Sequence, residues 1–565
     1  MRGMPPQPES PRTLIDDLLA EQQTLTAVER FARKHERHDL PAQARYYRDL
    51  IPLTKPAQGE QYAFAVDLDI CTGCKACVSA CHSLNGLDDD EIWRNIGLLH
   101  GGTMEEPYQQ IVTTACHHCA EPACLEGCPV KAYEKEEDTG IVRHLDDQCI
   151  GCQYCVLKCP YDVPKYSKKR GIVRKCDMCH DRLGAGEAPA CVQSCPSGAI
   201  AIRIVNKAEL IAATMPGDAL LPGAYDSTYT KPATTYTTRR KMPANAQPGD
   251  STSLRLEHAH WPLILMLVFT QIAAGMYAGA AVLGMCSPGV FAVAQAPIAV
   301  AAFLILNIGL AVSVLHLGRP LGAWRAFLGL RTSWMSREIF AFGIFAAPAA
   351  AFMGAGLWNF AVGLIPKLHM VERFVVPSHF AFTLVVITAL LGVPGVFCSA
   401  MIYVDTRRVY WRSELTFVKF FGTAFLLGAS GIAAVLAWAG FFAGGGMLHA
   451  VQMFAVVALI FRVAIFSREF VSFRRALLNA GDPDHRSVLT IWKLRRPLTA
   501  VLCALFAGSL IFALLVIAGF GVAISATFFF LLTLGSQIIE RYFFFTAVVA
   551  FRMPGPLVSG QSSHA

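Results

Sequence analysis

Charged residues are scarce in this sequence. Asp, Glu, Lys and Arg make up 16% of the 565 residues and hydrophobic residues 54%, a balance outside the range of ordinary soluble domains. From residue 261 to residue 315 no residue of the four charged types occurs. That stretch is long enough for two helices, since about 20 residues cross a bilayer. The lack of charge therefore predicts a membrane-embedded part.

Motifs for organic catalysis and for export are also missing. The sequence has no Walker A loop, no G-x-G-x-x-G after a predicted strand and no nucleophile elbow. Its first residues are rich in acidic side chains and lack a twin-arginine pair, so we expect no export of the N-terminal part. The net charge of +7 does not indicate nucleic-acid binding, because the arginines cluster beside apolar segments, as on the inner face of a membrane protein.

Cysteine is nearly absent from most of the chain and concentrated in one part. Sixteen of the 19 cysteines lie between Cys71 and Cys195, and in a reducing compartment such thiols bind soft metals rather than form disulfides. They form four groups: Cys71, Cys74, Cys77 and Cys81; Cys116, Cys119, Cys124 and Cys128; Cys149, Cys152, Cys155 and Cys159; Cys176, Cys179, Cys191 and Cys195. The last three groups end in Cys-Pro.

The first and third groups have the spacing C-x2-C-x2-C-x3-C. Such a loop places three thiolates on one iron-sulfur cube, and the fourth cysteine points to a neighbouring cluster. We therefore expect all sixteen cysteines to be metal ligands of four [4Fe-4S] clusters. Structural zinc also uses C-x2-C pairs, but it does not require a third cysteine at the same spacing or a fourth before proline.

Eight apolar segments follow the cysteine-rich part. We place membrane spans at 261–284, 289–315, 338–362, 374–403, 417–442, 446–466, 497–519 and 522–549. Eight crossings put both termini on one side of the membrane. On that side the connecting segments carry fifteen basic residues, against Lys367 and Arg373 on the other. The positive-inside rule then predicts a multi-pass protein of the bacterial inner membrane, with its cysteine groups facing the cytoplasm.

Several ionisable residues lie near the cytoplasmic ends of these spans. Such residues are costly in hydrocarbon and are usually functional. We predict that they bind the head group of a quinone in one pocket, formed by His316, Arg319, Glu338, Glu540 and Arg541. The alternative is that they are interfacial residues and helix-packing pairs. We expect no haem, because the histidines lie near span ends and not in facing pairs.

Two parts of the sequence resemble known subunits. Residues 71–195 resemble the four-cluster electron-transfer subunit of the dimethyl sulfoxide (DMSO) reductase family of molybdenum enzymes. The segments HLGRPLGAWRAFLGLRTSWMSREIF, VFCSAMIYVDTRR and ERYFFF are similar to the eight-helix, quinone-linked anchor subunit of that family. The chain thus looks like a fusion of two subunits, and the resemblance implies a separate molybdopterin (Mo-bisPGD) catalytic subunit as its partner.

The resemblance also implies how the cysteine groups pair. Three cysteines of each group share a cluster with one cysteine of another group: Cys71, Cys74 and Cys77 with Cys195; Cys176, Cys179 and Cys191 with Cys81; Cys116, Cys119 and Cys124 with Cys159; Cys149, Cys152 and Cys155 with Cys128. It further implies that His316 and Glu338 are the histidine and the acid of the quinone site, and that the membrane part lacks haem.

An inward-facing complex of this kind is similar to the membrane-bound, quinone-linked sulfite dehydrogenases. We therefore expect this chain to be a non-catalytic subunit that relays electrons to the quinone pool during oxidation of sulfite to sulfate at the cytoplasmic face. One alternative is a subunit of a DMSO, S-oxide or N-oxide reductase, which oxidises quinol. Another is a free-standing quinone-ferredoxin hub or ion translocator.

The expected architecture has two halves. An α+β ferredoxin-like domain with two double-cluster modules is joined to an all-α membrane bundle of eight transmembrane helices. The expected bounds are 1–60 for an N-terminal helical extension, 61–210 for the four-cluster domain, 211–258 for a linker, 259–551 for the bundle and 552–565 for a tail.

Overall fold

The cysteine-rich half consists of short strands and short helices. A computed structural model describes residues 13–15, 17, 20, 47–364, 375–442 and 446–556, so most of the predicted N-terminal helical extension lies outside the described residues. The strands are β1 (Glu60–Asp67), β2 (Asn95–Gly102), β3 (Pro107–Thr114), β4 (Tyr133–Lys135), β5 (Val142–His144), β6 (Lys165–Ser167), β7 (Ile172–Arg174), β8 (Ile200–Asn206), β9 (Thr235–Thr237) and β10 (Gln247–Pro248). The helices are α1 (Ala76–Leu84), α2 (Ala123–Glu126), α3 (Tyr154–Lys158), α4 (His180–Gly184), α5 (Ala190–Gln193) and α6 (Lys207–Ala213).

These strands form small separate sheets. One has the order β8-β1-β9 and another the order β10-β2-β3, while β4-β5 and β6-β7 are two-stranded antiparallel hairpins. Strand β1 pairs antiparallel with β8 and parallel with β9. The cysteine loops and short helices lie between these sheets, which confirms the prediction of a ferredoxin-like α+β domain.

The segment 211–258 differs from the linker that we expected. Its strand β9 extends the sheet of β1, and β10 extends the sheet of β2. Between them and α6, Ala233 is buried, and its backbone N–H donates to the His117 carbonyl at 3.0 Å. Strands this short leave no hydrophobic periodicity in the sequence. The segment 211–258 therefore resembles a free linker in composition, although it packs along the domain.

The second half consists of long apolar helices. Eight of those described are long and apolar enough to cross a membrane, as predicted: α7 (Trp261–Cys286), α8 (Pro288–Val314), α9 (Trp334–Leu364), α10 (Ser378–Val404), α11 (Ser413–Phe442), α12 (Leu448–Leu478), α14 (Arg496–Ile517) and α15 (Val522–Thr546). A shorter helix, α13 (His485–Leu494), lies between α12 and α14.

Helices α7 and α11 form the centre of the bundle. They are the two most buried of the eight candidate spans. A Cβ atom on Gly275 of α7 would overlap the Ala424 carbonyl of α11, and one on Gly428 would overlap the Gly275 backbone. Small residues let transmembrane helices approach closely, and such packing stabilises helix pairs in lipid.

The chain returns to the cysteine-rich domain after the last span. Leu98 of β2 donates its backbone N–H to the Gly555 carbonyl at 3.0 Å, and Arg552 pairs with Asp250 at 2.9 Å. The first residues of the expected tail therefore pack on the cysteine-rich domain, which also precedes the first span. The chain thus returns to the side from which it entered the bundle, as an even number of crossings requires.

Candidate functional site

The first and third cysteine groups share one loop conformation. Gly73 and Gly151 have φ angles of +71° and +70°, and Lys75 and Gln153 follow with φ angles of +63° and +60°. Left-handed residues turn the chain sharply, so three successive thiols face the same side. Helices α1 and α3 then begin at the next residue and carry the fourth cysteine toward another group.

Two cysteine quartets surround cavities within the domain. The quartets are Cys116, Cys119, Cys124 and Cys159, and Cys71, Cys74, Cys77 and Cys195. In each quartet the fourth thiol comes from another cysteine group, and none of the 19 cysteines forms a disulfide. Within the described part of the chain, no three His, Cys, Asp or Glu side chains converge on a point where one metal ion would fit. Thiols around a cavity fit a polynuclear iron-sulfur centre.

The remaining eight thiols form two further neighbourhoods. Burial, with the nearby charges of Cys191 and Cys179, raises the pKa of Cys81 to about 12. Burial likewise raises the pKa of Cys128 to about 11, and the Cys149 charge acts in the same direction. The charges of Cys128, Cys149 and Cys152 also act on Cys155. Each neighbourhood therefore brings together buried thiols from two cysteine groups, and metal binding would release their protons.

Two buried cations, Arg94 and Lys175, lie among these thiols. Burial alone would lower the pKa of Arg94, but the charges of Cys191 and Cys77 act in the opposite direction and raise it. Lys175 is held by the Cys176 carbonyl at 2.8 Å and by the Val142 carbonyl. Both side chains are about 2% exposed. A buried charge needs a compensating charge, and clusters with anionic thiolate ligands would supply one.

The Cys149 group contacts the membrane half directly. Tyr154 belongs to the apolar core of the bundle and Cys152 packs against it, while Leu317, next to His316, packs against the apolar cluster that includes Cys149 and Cys155. Arg319 donates its backbone N–H to the Ile150 carbonyl at 3.0 Å. The Tyr154 hydroxyl donates to the Ile402 carbonyl of α10 at 3.3 Å. The group therefore lies at the boundary between the two halves.

Glycine and lysine contacts fix this boundary. Gly151 and Gly171 pack against Gly318 so closely that a Cβ on Gly318 would overlap the Gly171 backbone. The buried Lys158 Nζ lies 2.6 Å from Asp405 Oδ2 at the end of α10. The loop after α8 is thus held against the Cys149 loop by its backbone.

His316 lies in that loop with one ring nitrogen free. Its Nδ1 contacts the Ser313 carbonyl, and its buried Nε2 has no hydrogen-bond partner. Burial lowers the pKa of His316 to about 4. Burial, with the nearby His258 and His316, also lowers the pKa of His260 to about 4. Both imidazoles are therefore neutral at physiological pH and can exchange hydrogen bonds with a carbonyl or hydroxyl group.

The other predicted quinone-site residues lie on three different elements, the loop after α8, α9 and α15. Arg319 donates to the Asp146 carbonyl at 2.8 Å, which is a docking contact with the cysteine-rich domain. Glu338 is buried on α9 and accepts a hydrogen bond from Ser399 of α10. Glu540 lies on α15 beside Lys419, and Arg541 donates to Gln271 of α7 at 3.2 Å. Tyr403 of α10 lies near both Glu338 and Arg541.

An acidic partner of Lys419 was also missed. Glu469 of α12 lies 3.5 Å from the Lys419 ammonium group. The sequence contains part of this signal, since Lys419 lies inside the predicted span 417–442 and Glu469 lies three residues past the predicted span 446–466.

Two family profiles match adjoining parts of the sequence. The 4Fe-4S dicluster domain matches residues 108–204, and the DMSO reductase anchor subunit (DmsC) matches residues 256–547.

Curated relatives match about a quarter to a third of the chain. The probable anaerobic dimethyl sulfoxide reductase chain YnfG of Escherichia coli K12 is 36% identical over 201 residues, which are 34% of this protein and 94% of that relative. A chain of the anaerobic dimethyl sulfoxide reductase of Haemophilus influenzae is 39% identical over 150 residues, 25% of this protein and 73% of that relative. The hydrogenase-2 operon protein HybA of E. coli O157:H7 is 35% identical over 184 residues, 28% of this protein and 56% of that relative.

The fold, the cysteine sites and these matches define a membrane-anchored iron-sulfur electron-transfer protein. This protein belongs to the DMSO reductase anchor subunit (DmsC) family, and a 4Fe-4S domain similar to the two DMSO reductase relatives is fused ahead of the anchor. The fusion that we expected is thus confirmed.

Proposed function

We propose that this protein carries electrons between a molybdopterin catalytic subunit and membrane quinone, through four [4Fe-4S] clusters held by its sixteen clustered cysteines. The observation that carries the proposal is the contact between the Cys149 group and the loop of His316. Bound clusters would supply one-electron steps between a two-electron substrate reaction and the quinone. The protein's own residues position and bury these groups and compensate their charge.

The quinone head group would bind next to the loop after α8. The free Nε2 of His316 and the neighbouring His260 provide neutral hydrogen-bonding groups there. Glu338, 4% exposed and bonded to Ser399, provides a carboxyl group on the next helix that can exchange a proton. Both features support a site on the membrane side that faces the cysteine-rich domain.

For the direction of electron flow we propose oxidation of sulfite to sulfate at the cytoplasmic face of the bacterial inner membrane. The excess of basic residues on the side of the cysteine groups supports this orientation. The alternative is reduction of DMSO or another S-oxide or N-oxide with electrons from quinol. The names of the relatives, two of them dimethyl sulfoxide reductase chains, favour that alternative.

The quinone step can be tested on the isolated protein. It is placed in lipid nanodiscs and reduced with dithionite, and the recovery of cluster absorbance is followed after mixing with a short-chain quinone. We expect reoxidation within the mixing experiment for the native protein and a loss of at least tenfold in rate for His316→Ala. His379→Ala is the matched control, because His379 is exposed at the start of α10. Equal rates for all three proteins would contradict the assignment of His316.

The substrate is tested with the complete complex in membranes. Sulfite-dependent reduction of quinone, with the catalytic subunit copurifying without an export signal, would support the sulfite proposal. Quinol-dependent reduction of DMSO would support the reductase. Activity with neither sulfite nor DMSO, with no molybdopterin protein in the preparation, would leave the free-standing hub as the remaining proposal.

A further inference from the structure

A cavity lies between helices near one end of the membrane bundle. It has a volume of about 260 Å³ and is enclosed by α11, α12, α13, α14 and α15. Its walls are largely apolar and aromatic, with Phe466, Trp492 and Phe543 among them, and its polar residues include Lys419, Glu469 and Glu540. Neither His316 nor Glu338 lines it.

Three charged side chains form the polar end of this cavity. Lys419 contacts Glu540 directly and lies 3.5 Å from Glu469. Lys419 is six residues from the start of α11, and Glu540 is six residues from the end of α15, which places each about 9 Å inside the helix. Glu540 is 6% exposed, and its Oε2 has no hydrogen-bond partner. A buried carboxylate oxygen without a partner is costly unless a ligand or water satisfies it.

The cavity opens on the outer face of the bundle. Phe470, which lines it, is 55% exposed, and Cys503 of α14 is an exposed thiol at its edge. On a membrane-spanning bundle such apolar exposed surface faces lipid. A ligand would therefore enter from the bilayer, with an apolar tail left outside.

The charges select the kind of head group. At the polar end, Lys419 faces two carboxylates, and Arg541 lies 4.0 Å from Glu540, so these four charges balance. Two further charged residues line the cavity, Arg468 and Asp484, and Asp484 pairs with Arg412 at 2.7 Å. A phosphate group at Lys419 would meet two carboxylates and an ammonium group already paired to them, which disfavours an anionic lipid head group there. A neutral ring with carbonyl or hydroxyl groups can accept from Lys419 or donate to Glu540 while its faces contact the aromatic walls.

The loop between α10 and α11 joins this cavity to the cysteine-rich domain. Arg408 donates to the Leu157 carbonyl at 3.3 Å, between Cys155 and Cys159 in the sequence. Two residues later Tyr410 lines the cavity. A ligand there would lie one short loop away from the Cys149 group.

We propose that this cavity is a second binding site for a quinone or quinol head group, separate from the site beside His316. The inference rests on the proposed use of quinone, but it concerns binding at residues that have no part in the His316 site.

The test is photolabelling of the full-length protein in nanodiscs with an azido-quinone, followed by mapping of the labelled peptides. We expect label on the parts of α12 and α14 that line the cavity, competed by unlabelled quinone. Cys503→Trp should fill the entrance and reduce this label at least tenfold. Val501→Trp is the control, because Val501 is exposed on the same helix and does not line the cavity.

The two quinone proposals can fail separately. Label at the cavity that persists in His316→Ala supports the second site, whereas label confined to the loop after α8 overturns it. Equal labelling of Cys503→Trp and Val501→Trp also overturns it, as does competition by phosphatidylglycerol as strong as that by quinone. Reoxidation of the reduced clusters by quinone is measured independently and tests the proposed function itself.

Discussion

The buried guanidinium of Arg94 offers the sharpest test of the proposed clusters. Arg94 lies 4.6 Å above the Phe64 ring and donates to Thr113 Oγ1 at 3.2 Å. The same Oγ1 atom lies 3.6 Å from Cys77 Sγ, so the positive charge is within about 7 Å of a proposed ligand. Replacing Arg94 with Met removes this charge and keeps a long apolar side chain.

The size of the effect follows from Coulomb's law. Two unit charges about 7 Å apart at an effective dielectric constant of about 20 interact by about 2 kcal/mol. For a one-electron couple this corresponds to about 90 mV, since about 59 mV is a tenfold change in the equilibrium constant. A reduced cluster carries one more negative charge, so loss of the cation should shift a midpoint potential by about 50–90 mV toward negative values.

The assay is a redox titration of the purified protein, monitored by electron paramagnetic resonance. Arg94→Lys retains the charge, so its midpoint potential should lie closer to that of the native protein than to that of Arg94→Met. Arg239→Met removes an exposed arginine and should change no potential by more than about 10 mV, because solvent screens exposed charges. Arg94→Met protein with a full iron content and unshifted potentials would refute the reasoning.

Three further predictions concern the boundary and the cysteine sites. Asp405→Asn leaves the buried Lys158 ammonium without its carboxylate; this should cost about 2–3 kcal/mol and lower the melting temperature, and the double variant with Lys158→Met should recover most of the loss. Gly318→Val should force the loop away from Gly171 and slow quinone-dependent reoxidation in stopped-flow measurements, while cluster spectra remain; an unchanged rate would show that this contact does not matter. Cys159→Ser should alter one cluster signal and spare three, and loss of all signals would contradict separate sites.

The membrane half was largely predictable, because a long stretch without charged residues rarely forms anything other than a transmembrane helix. The ends of its helices were less predictable. Helix α12 continues to Leu478, twelve residues past the predicted end at residue 466, since Lys419 neutralises Glu469 inside the bundle. A sequence-based boundary drawn at the first charge cannot anticipate a partner on another helix.

The basic residues also have a second role that the sequence did not reveal. Arg319, Arg325 and Arg408 donate to backbone carbonyls of the cysteine-rich domain, at Asp146, Asp147 and Leu157. The charge excess on that side therefore reflects docking of the domain as well as any orientation in the membrane.

The cysteine spacing predicted the local loops, but it could not predict what lies between them. The left-handed residues and the helix after each loop follow from glycine and from the C-x2-C spacing. The burial of Arg94 and Lys175 among the thiols, in contrast, depends on how the strands pack, and a single arginine or lysine in a polar stretch carries no periodic signal. The grouping of five polar residues into one quinone pocket relied on their common depth and stays a prediction. Depth alone could not predict the partners of Arg319 and Glu540, because these depend on side-chain positions around the bundle.

The central claim is that sixteen cysteines hold four [4Fe-4S] clusters, and metal analysis of anaerobically purified protein tests it most directly. Four clusters predict about sixteen iron atoms and sixteen acid-labile sulfides per polypeptide, with negligible zinc. A preparation that is folded and bound to its membrane, but contains zinc or iron for only two clusters, would contradict the claim.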